Sequence, residues 1–176
     1  FRRAAPSLNL SPDYHRAVEG ATPYPLYIKP DTKLSLNNVF SLMRDHYEGT
    51  DFDMTKGIDA GPHHTPNRWR PMTWEVADKE YAWERPISTQ QTGFSTVSQS
   101  RSWFPDAIGG VLWYGVDDTY TTCYVPLYCS INELPESYTY GSLKKYERES
   151  AWWTFNLVAN YANIRYQYMI PEIRSV

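Results

Sequence analysis

The sequence predicts an α+β fold, a mostly antiparallel sheet with helices packed against it. Three observations carry this. An amphipathic stretch, residues 34–48, comes before the strands; residues 84–132 are rich in Thr, Ser, Val and Ile and are divided by turn residues; a long apolar-striped stretch, 144–170, follows. Helices that flank a run of strands, rather than alternating with them, layer onto an antiparallel sheet.

The 176 residues read as a single domain. Residues 1–33 have weak periodicity and are interrupted by Pro6, Pro12, Gly20, Pro23 and Pro25, which makes an extended docking segment. In "KLSLNNVFSLMRDHYEG", Ser35 suits the N-cap, and Leu36, Val39, Phe40, Met43 and Tyr47 recur at helical spacing. Gly49 is placed to end that helix in a left-handed conformation, which puts Arg44, Asp45 and His46 in its last turn. Residues 57–71 read as loop, broken at Gly61-Pro62 and Thr65-Pro66.

Strands are expected next. "RPISTQQTGFSTVSQSR" is divided at Gly93 or bulged there; "GGVLWYGVD" and "TYTTCYVPLYCSIN" follow at hairpin distance with Asp117-Asp118 as the turn. Pro126 lacks an N–H, so the last strand is expected at an edge or bulged there. In 144–170, Ala151, Phe155, Val158, Ala159, Ala162, Tyr166 and Met169 form one helical stripe, and Pro171 is expected to stop it. Trp152 and Trp153 face about 100° apart on a helix, one toward the core and one toward another layer.

The bulk properties exclude some classes. The net charge of -3 gives no basic footprint, so no nucleic-acid partner is expected. No run of 18 apolar residues encodes a membrane-spanning helix. Aromatics make up 16%, with 7 Trp and 15 Tyr, which suits a large aromatic core, a sugar- or peptide-binding face, or a covered interface. Cys123 and Cys129 lie six apart in one strand-like run, about 20 Å apart if extended, so they read as free thiols.

The charges gather in "MRDHYEGTDFDMTKGIDAGPHHTPNRW". Arg44, Asp45, His46, Glu48, Asp51, Asp53 and Lys56 fall within 43–56, and His63-His64 follow. A metal site, a substrate clamp and a solvated loop are the readings. Adjacent histidines diverge and no HExxH or paired-Cys pattern occurs, so no metal and no cofactor is expected. No GxSxG elbow supports a serine triad, and a thiol inside a strand is usually inert. Gln99 and Arg101 share a strand face and together suit a carboxylate or an amide oxygen, against the plainer reading of a solvated face.

"FRRAAPSL", "KLSLNNVFSLMRDHYEGTDFDMTKG", "GPHHTPNRW", "RPISTQQTGFSTVSQSRSWFP", "GGVLWYGVDDTYTTCYVPLY" and "INELPESY" resemble, in this order, the later part of the C69-type dipeptidases. These are N-terminal-nucleophile hydrolases related to bile-salt hydrolase and penicillin V acylase. The resemblance implies an αββα sandwich, dipeptide substrates and no metal. It also implies a Cys nucleophile at a processed N-terminus, whose own α-amine takes the thiol proton. This chain begins with Phe1. The expectation is therefore a C-terminal portion that lacks the nucleophile and an N-terminal half, is inactive alone, and is prone to self-association. In the complete enzyme Asp45, His46, Glu48 and Asp53 are expected to bind substrate or brace the loop, and Arg101 with Gln99 to support catalysis. The alternative is a non-catalytic, aromatic-rich module for glycan or peptide.

Overall fold

The structure, a computed structural model, describes residues 1–68 and 73–175; residues 69–71 of the expected loop lie outside the described residues. The chain divides into two compact units, Phe1–Leu42 and Met43–Val176, where the sequence reading treats it as one.

In the first unit the expected extended segment is closed by side chains. Ser7 donates from its amide to Asp31 Oδ2 at 2.9 Å and from its hydroxyl to Asp31 Oδ1, and the Asp31 amide donates to Ala4 O at 3.0 Å. These bonds from Ser7 hold the Asp31 carboxyl below the usual range. Tyr24 packs against Phe1, Tyr14 and His15, and its hydroxyl donates to Ser11 O at 2.7 Å. Helix α1, Leu36–Met43, starts where the cap predicts. Asn38 donates its amide to Ser35 Oγ at 3.2 Å, and Asn38 Oδ1 accepts from the Ser35 amide at 2.9 Å, a reciprocal cap.

The helix expected over 34–48 ends at Met43, six residues before Gly49. The reason is a set of competing hydrogen bonds. A continuing helix would give Met43 O to the Tyr47 amide. Met43 O instead accepts the Thr119 hydroxyl at 2.6 Å, and the Tyr47 amide donates to Asp45 Oδ1 at 2.9 Å. Tyr47 itself takes φ 63°. Arg44, Asp45 and His46 are therefore in a loop, not in a last helical turn.

The second unit is mixed helix and antiparallel sheet. Strands β1, Thr73–Val76, and β2, Lys79–Ala82, form a hairpin that the sequence reading did not include. Its turn, Ala77-Asp78, has positive φ at both residues, and Ala is a poor marker for that geometry. The main sheet has the order β3-β4-β5, from Phe94–Ser100, Gly110–Val116 and Val125–Tyr128. These three replace the strand-rich span of 84–132. β3 starts directly after Gly93, and Pro126 sits in β5, an edge strand. A short helix, α2, Asp106–Gly109, lies between β3 and β4.

The β4–β5 connection is not a two-residue turn at Asp117-Asp118. It runs from 117 to 124, and Asp117 through Thr122 are all buried. Several of their polar groups are bonded within the fold: Asp118 Oδ1 accepts the Thr121 amide at 3.0 Å and hydroxyl at 2.6 Å, and Thr122 O accepts Arg44 Nη2 at 2.9 Å, whereas Thr122 Oγ1 is buried without a partner among the described residues. Cys123 lies in this loop and Cys129 just beyond β5; both are free and exposed, not buried in a strand.

The single helix expected over 144–170 is two. α3, Ala151–Ile164, follows Ser150, and α4, Tyr166–Ser175, follows a break at Arg165 with φ -141° and ψ 53°. The Gln167 amide, which would reach Asn163 O in an unbroken helix, donates to His63 O at 3.1 Å. Pro171 stays inside α4, where it removes the bond to the Gln167 carbonyl near the helix start. The apolar stripe does face inward: Ala151, Ala159, Ala162 and Tyr166 are buried, and Tyr120, Ala162, Tyr166 and Ile170 form a core cluster. Trp152 and Trp153 do not divide between core and outside. Both are half-buried, with rings 4.8 Å apart, and with Tyr140 and Leu143 they line a pocket of about 160 Å³. No described helix is long and apolar enough to cross a membrane.

Gly115 in β4 lets the buried connection lie close to the sheet. A Cβ there would sit 2.8 Å from Thr122 Cγ2 and 3.2 Å from the Tyr124 ring, whereas a Cβ at Gly93 meets nothing within 4 Å. Gly115→Ala should therefore lower stability by about 1–3 kcal/mol through overpacking. Gly93→Ala should stay within about 1 kcal/mol. Urea denaturation of the two variants checks the contrast.

Candidate functional site

The early end of α1 turns Asp45 and His46 into the interior. His46 is fully buried and Asp45 is 7% exposed. The His46 ring meets Tyr120 edge-on at 5.1 Å and Tyr166 at 5.9 Å with an interplanar angle of 89°. Its Nδ1 lies 3.4 Å from Glu48 Oε1 and 3.4 Å from the Tyr166 hydroxyl. Its Nε2 is buried and has no hydrogen-bond partner among the described residues. Glu48 Oε2 accepts the His46 amide at 2.7 Å, and Arg174 lies 3.8 Å from Oε1.

The walls of this region come from four pieces of chain. Met54 closes one side, with its amide on His46 O at 3.1 Å. Buried Arg68 donates to Met54 O at 3.1 Å. Ser88 donates its amide to Asp45 O at 3.1 Å, and its hydroxyl is hydrogen-bonded to Thr119 Oγ1 at 2.6 Å. Asn163 on α3 accepts the Tyr120 hydroxyl and the Asn67 amide group. Asp53 faces its own loop: it accepts from the Gly49 amide at 2.9 Å and the Thr55 amide at 3.0 Å, and it pairs with Lys56 at 3.4 Å.

Of the residues singled out in the sequence, Asp45, His46 and Glu48 come together, and Asp53 braces the loop that follows them. Gln99 and Arg101 stand elsewhere. The Asp117 end of the sheet adjoins Phe94, while Arg101 lies beyond the other end of β3, about 20 Å along a seven-residue strand. Arg101 donates to Ile108 O and lies 4.8 Å over the Phe104 ring, and Gln99 Oε1 accepts Trp113 Nε1 at 3.2 Å. The sequence reading missed Ser88, Asp118, Thr119, Tyr120 and Asn163. The one available signal was the hydroxyl run "DDTYTT", whose density of short polar side chains suits a self-bonded loop.

Burial acts on these acids in opposite directions. Burial alone would raise the Glu48 carboxyl, but the His46 side chain, the Glu48 and His46 amides and the His46 charge together bring it down to about 2. Asp118 is pushed up to about 6, chiefly by burial and also by the Asp117 charge, against the Thr121 bonds. Burial first, and then the Asp118 charge, push Tyr120 above the phenol range. Tyr166 moves the same way, again first by burial.

A pH profile of stability follows from these two acids. The Glu48 carboxyl falls below its ordinary value on folding, so its contribution is present above about 4.5 and is lost as pH drops toward 2. Asp118 rises on folding, so native protein binds the extra proton between 3.8 and about 6, and stability falls as pH rises through that window. The Asp118 effect amounts to roughly 2–3 kcal/mol. Asp118→Asn retains the Thr121 acceptor. Its melting temperature should exceed the parent's at pH 7, and its slope between pH 4 and 6.5 should be flatter. Thermal melts across pH 3–8 measure this; a parent and variant with superimposable slopes refute it.

Comparison with known proteins agrees with the residues quoted above. The model of peptidase family C69 matches residues 5–176. A "Probable dipeptidase" of Salmonella dublin is 29% identical over 118 residues, 67% of this chain and 23% of that protein. A "Probable dipeptidase" of Latilactobacillus sakei is 26% identical over 151 residues, 85% of this chain and 28% of that protein. The chain thus spans about a quarter of the length of these curated relatives. With the family match running through the α1 loop, the β3–β4–β5 sheet and both C-terminal helices, the chain belongs to peptidase family C69.

Proposed function

We propose that this chain works in peptide-bond hydrolysis, as part of a cysteine-type dipeptidase with the αββα sandwich of N-terminal-nucleophile hydrolases. The observation that carries this is the family match along almost the whole chain, with two relatives named probable dipeptidases. In such a reaction a thiolate attacks the peptide carbonyl, donors steady the oxyanion, and water releases the acyl group. The thiol proton passes to the α-amine of the same residue. Cys123 and Cys129 are interior residues without a free α-amine, so the nucleophile of the proposed enzyme is a different cysteine, outside these 176 residues. The α1 loop forms one wall of the substrate site, with Asp45 and Glu48 supplying negative charge for the ammonium of a dipeptide. Arg101, about 20 Å away along β3, is too far for one dipeptide to reach both places, so its assignment to the substrate carboxylate or the thiol is a competing placement of the site at the far end of β3.

Two assays bear on the proposal. The 176-residue chain should not hydrolyse dipeptides above a blank. In a complete enzyme of this family that carries the same residues, Arg101→Ala should lower kcat/KM by roughly tenfold or more, a loss of at least about 1.4 kcal/mol of transition-state stabilisation. Circular dichroism of the variant separates that loss from unfolding. Turnover by the 176-residue chain, or an unchanged kcat/KM, rejects the corresponding assignment.

A second reading is favoured by one observation. Trp74 and Tyr81, opposite each other on the β1–β2 hairpin, hold their rings 6.1 Å apart and only 12° from parallel, and both are more than 40% exposed. Such a pair suits a flat ligand such as a sugar ring. Tryptophan emission that stays constant on titration with oligosaccharides, in the parent and in Trp74→Ala alike, eliminates that reading.

A further inference from the structure

We propose that the pocket at the start of α3 binds a small molecule that joins one aromatic ring to a carboxylate. Its walls come from one continuous stretch, residues 140–153, so its shape is set by neighbours in the chain rather than by the sheet. Two features of that stretch point to the ligand: hydrogen-bond donors without an acceptor, and aromatic faces left open.

The donors stand at the helix N-terminus. α3 runs for 14 residues, and its first turn leaves the amides of Ala151, Trp152 and Trp153 without an intrahelical partner. Ser150 occupies the N-cap, yet its side chain makes no capping bond. Its carbonyl accepts the Thr154 amide at 3.0 Å, and its own amide donates to Glu147 O at 3.0 Å. Ser150 is 1% exposed and lines the pocket, and its Oγ has no hydrogen-bond partner among the described residues. Gly141 keeps that hydroxyl open. A Cβ there would stand 2.6 Å from Ser150 Oγ, and the φ of 141° is one that glycine alone takes readily. A carboxylate oxygen is the acceptor that suits a buried hydroxyl and free amides at the positive end of a helix dipole.

The other walls are mostly aromatic. Trp152 and Trp153 stand 4.8 Å apart at 84°, which makes a corner rather than a stack. Trp153 is fixed in that corner: Nε1 donates to Ser142 O at 2.9 Å, and the ring meets Tyr146 edge-on at 5.6 Å. Tyr140 and Leu143 close further sides. The volume of about 160 Å³ is close to that of an apolar cavity, roughly 150 Å³, that takes up benzene, so there is room for one ring. Charge nearby is mixed. Glu136, Glu147 and Glu149 act on the Tyr140 hydroxyl, and Lys144, Lys145 and Arg148 lie among them in sequence. The donors at the helix start therefore decide the sign of the ligand.

Titration of the 176-residue chain with 3-phenylpropionate, followed by NMR shifts of the tryptophan indole N–H groups, tests this. A Kd of about 1 mM or tighter is expected for a ligand of this size. Acetate, which lacks the ring, and 3-phenylpropionamide, which lacks the charge, should each bind at least about tenfold more weakly. Ser150→Ala should weaken 3-phenylpropionate about tenfold and leave the melting temperature unchanged, because the hydroxyl it removes caps nothing. Trp152→Ala should weaken it by a similar factor, with circular dichroism as the check on folding; Ser150→Ala decides alone if that variant does not fold. A longer form of the protein with the same residues should bind as tightly as the 176-residue chain. Absence of binding overturns the proposal, as does tighter binding of 2-phenylethylamine than of the acid, or an affinity that Ser150→Ala leaves unchanged. A Ser150→Ala variant destabilised as by the loss of an ordinary N-cap overturns it too. So does a longer form in which another segment fills the pocket and binding is lost.

Discussion

The hydroxyl of Thr119 is the contact on which the interior of the second unit depends. It donates to Met43 O and is hydrogen-bonded to Ser88 Oγ, both at 2.6 Å, and it is 2% exposed. Through one side chain the end of α1, the Ser88 turn and the β4–β5 connection are fixed together. Because Met43 O is taken, α1 stops, and the next residues are free to turn inward. The position of His46 between Tyr120 and Tyr166 is a consequence of that stop. A hydroxyl exchanged for a methyl here would leave a buried carbonyl without its partner, which costs about 1–3 kcal/mol in addition to the lost bond.

Around that contact the fold tolerates an acidic interior by treating its carboxylates unequally. Glu48 accepts hydrogen bonds from the His46 side chain and from backbone amides, which hold its carboxyl far below the usual range against its burial. Asp118 is held by the Thr121 amide and hydroxyl, and burial dominates. Burial thus leaves one acid ionised far into acid and pushes the other up to about 6. The hydrogen bonds that Glu48 accepts from the His46 side chain and from backbone amides outweigh its burial, whereas those from Thr121 do not outweigh the burial of Asp118, to which the Asp117 charge adds.

Much of the fold was legible in the sequence where the signal is local. The Ser35 cap, the strand start after Gly93, the edge position of Pro126 and the inward stripe from Ala151 to Tyr166 each follow from neighbouring residues. What escaped is set by partners distant in the chain. The stop after Met43 depends on Thr119, and the break at Arg165 involves a bond from Gln167 to the His63 carbonyl. The connection 117–124 imitates a strand in composition, yet its alternation is irrelevant once six consecutive residues are buried as a loop. The charged stretch does contain Asp45, His46 and Glu48, which the structure brings together. The tyrosines and Asn163 that complete their surroundings come from residues read only as core or stripe.

His46 Nε2 is one of several buried side-chain atoms without a hydrogen-bond partner among the described residues. A buried imidazole nitrogen without a partner costs on the order of 1–3 kcal/mol, and folds rarely retain such groups without cause. The surrounding geometry fixes the ring firmly: two aromatic edges, a carboxylate at Nδ1 and a backbone clasp from Met54. The Met54 amide bonds the His46 carbonyl, and Asp53, next in sequence, anchors Gly49, Thr55 and Lys56. Any ligand group that approached the α1 loop would therefore meet a surface whose shape is set before it arrives.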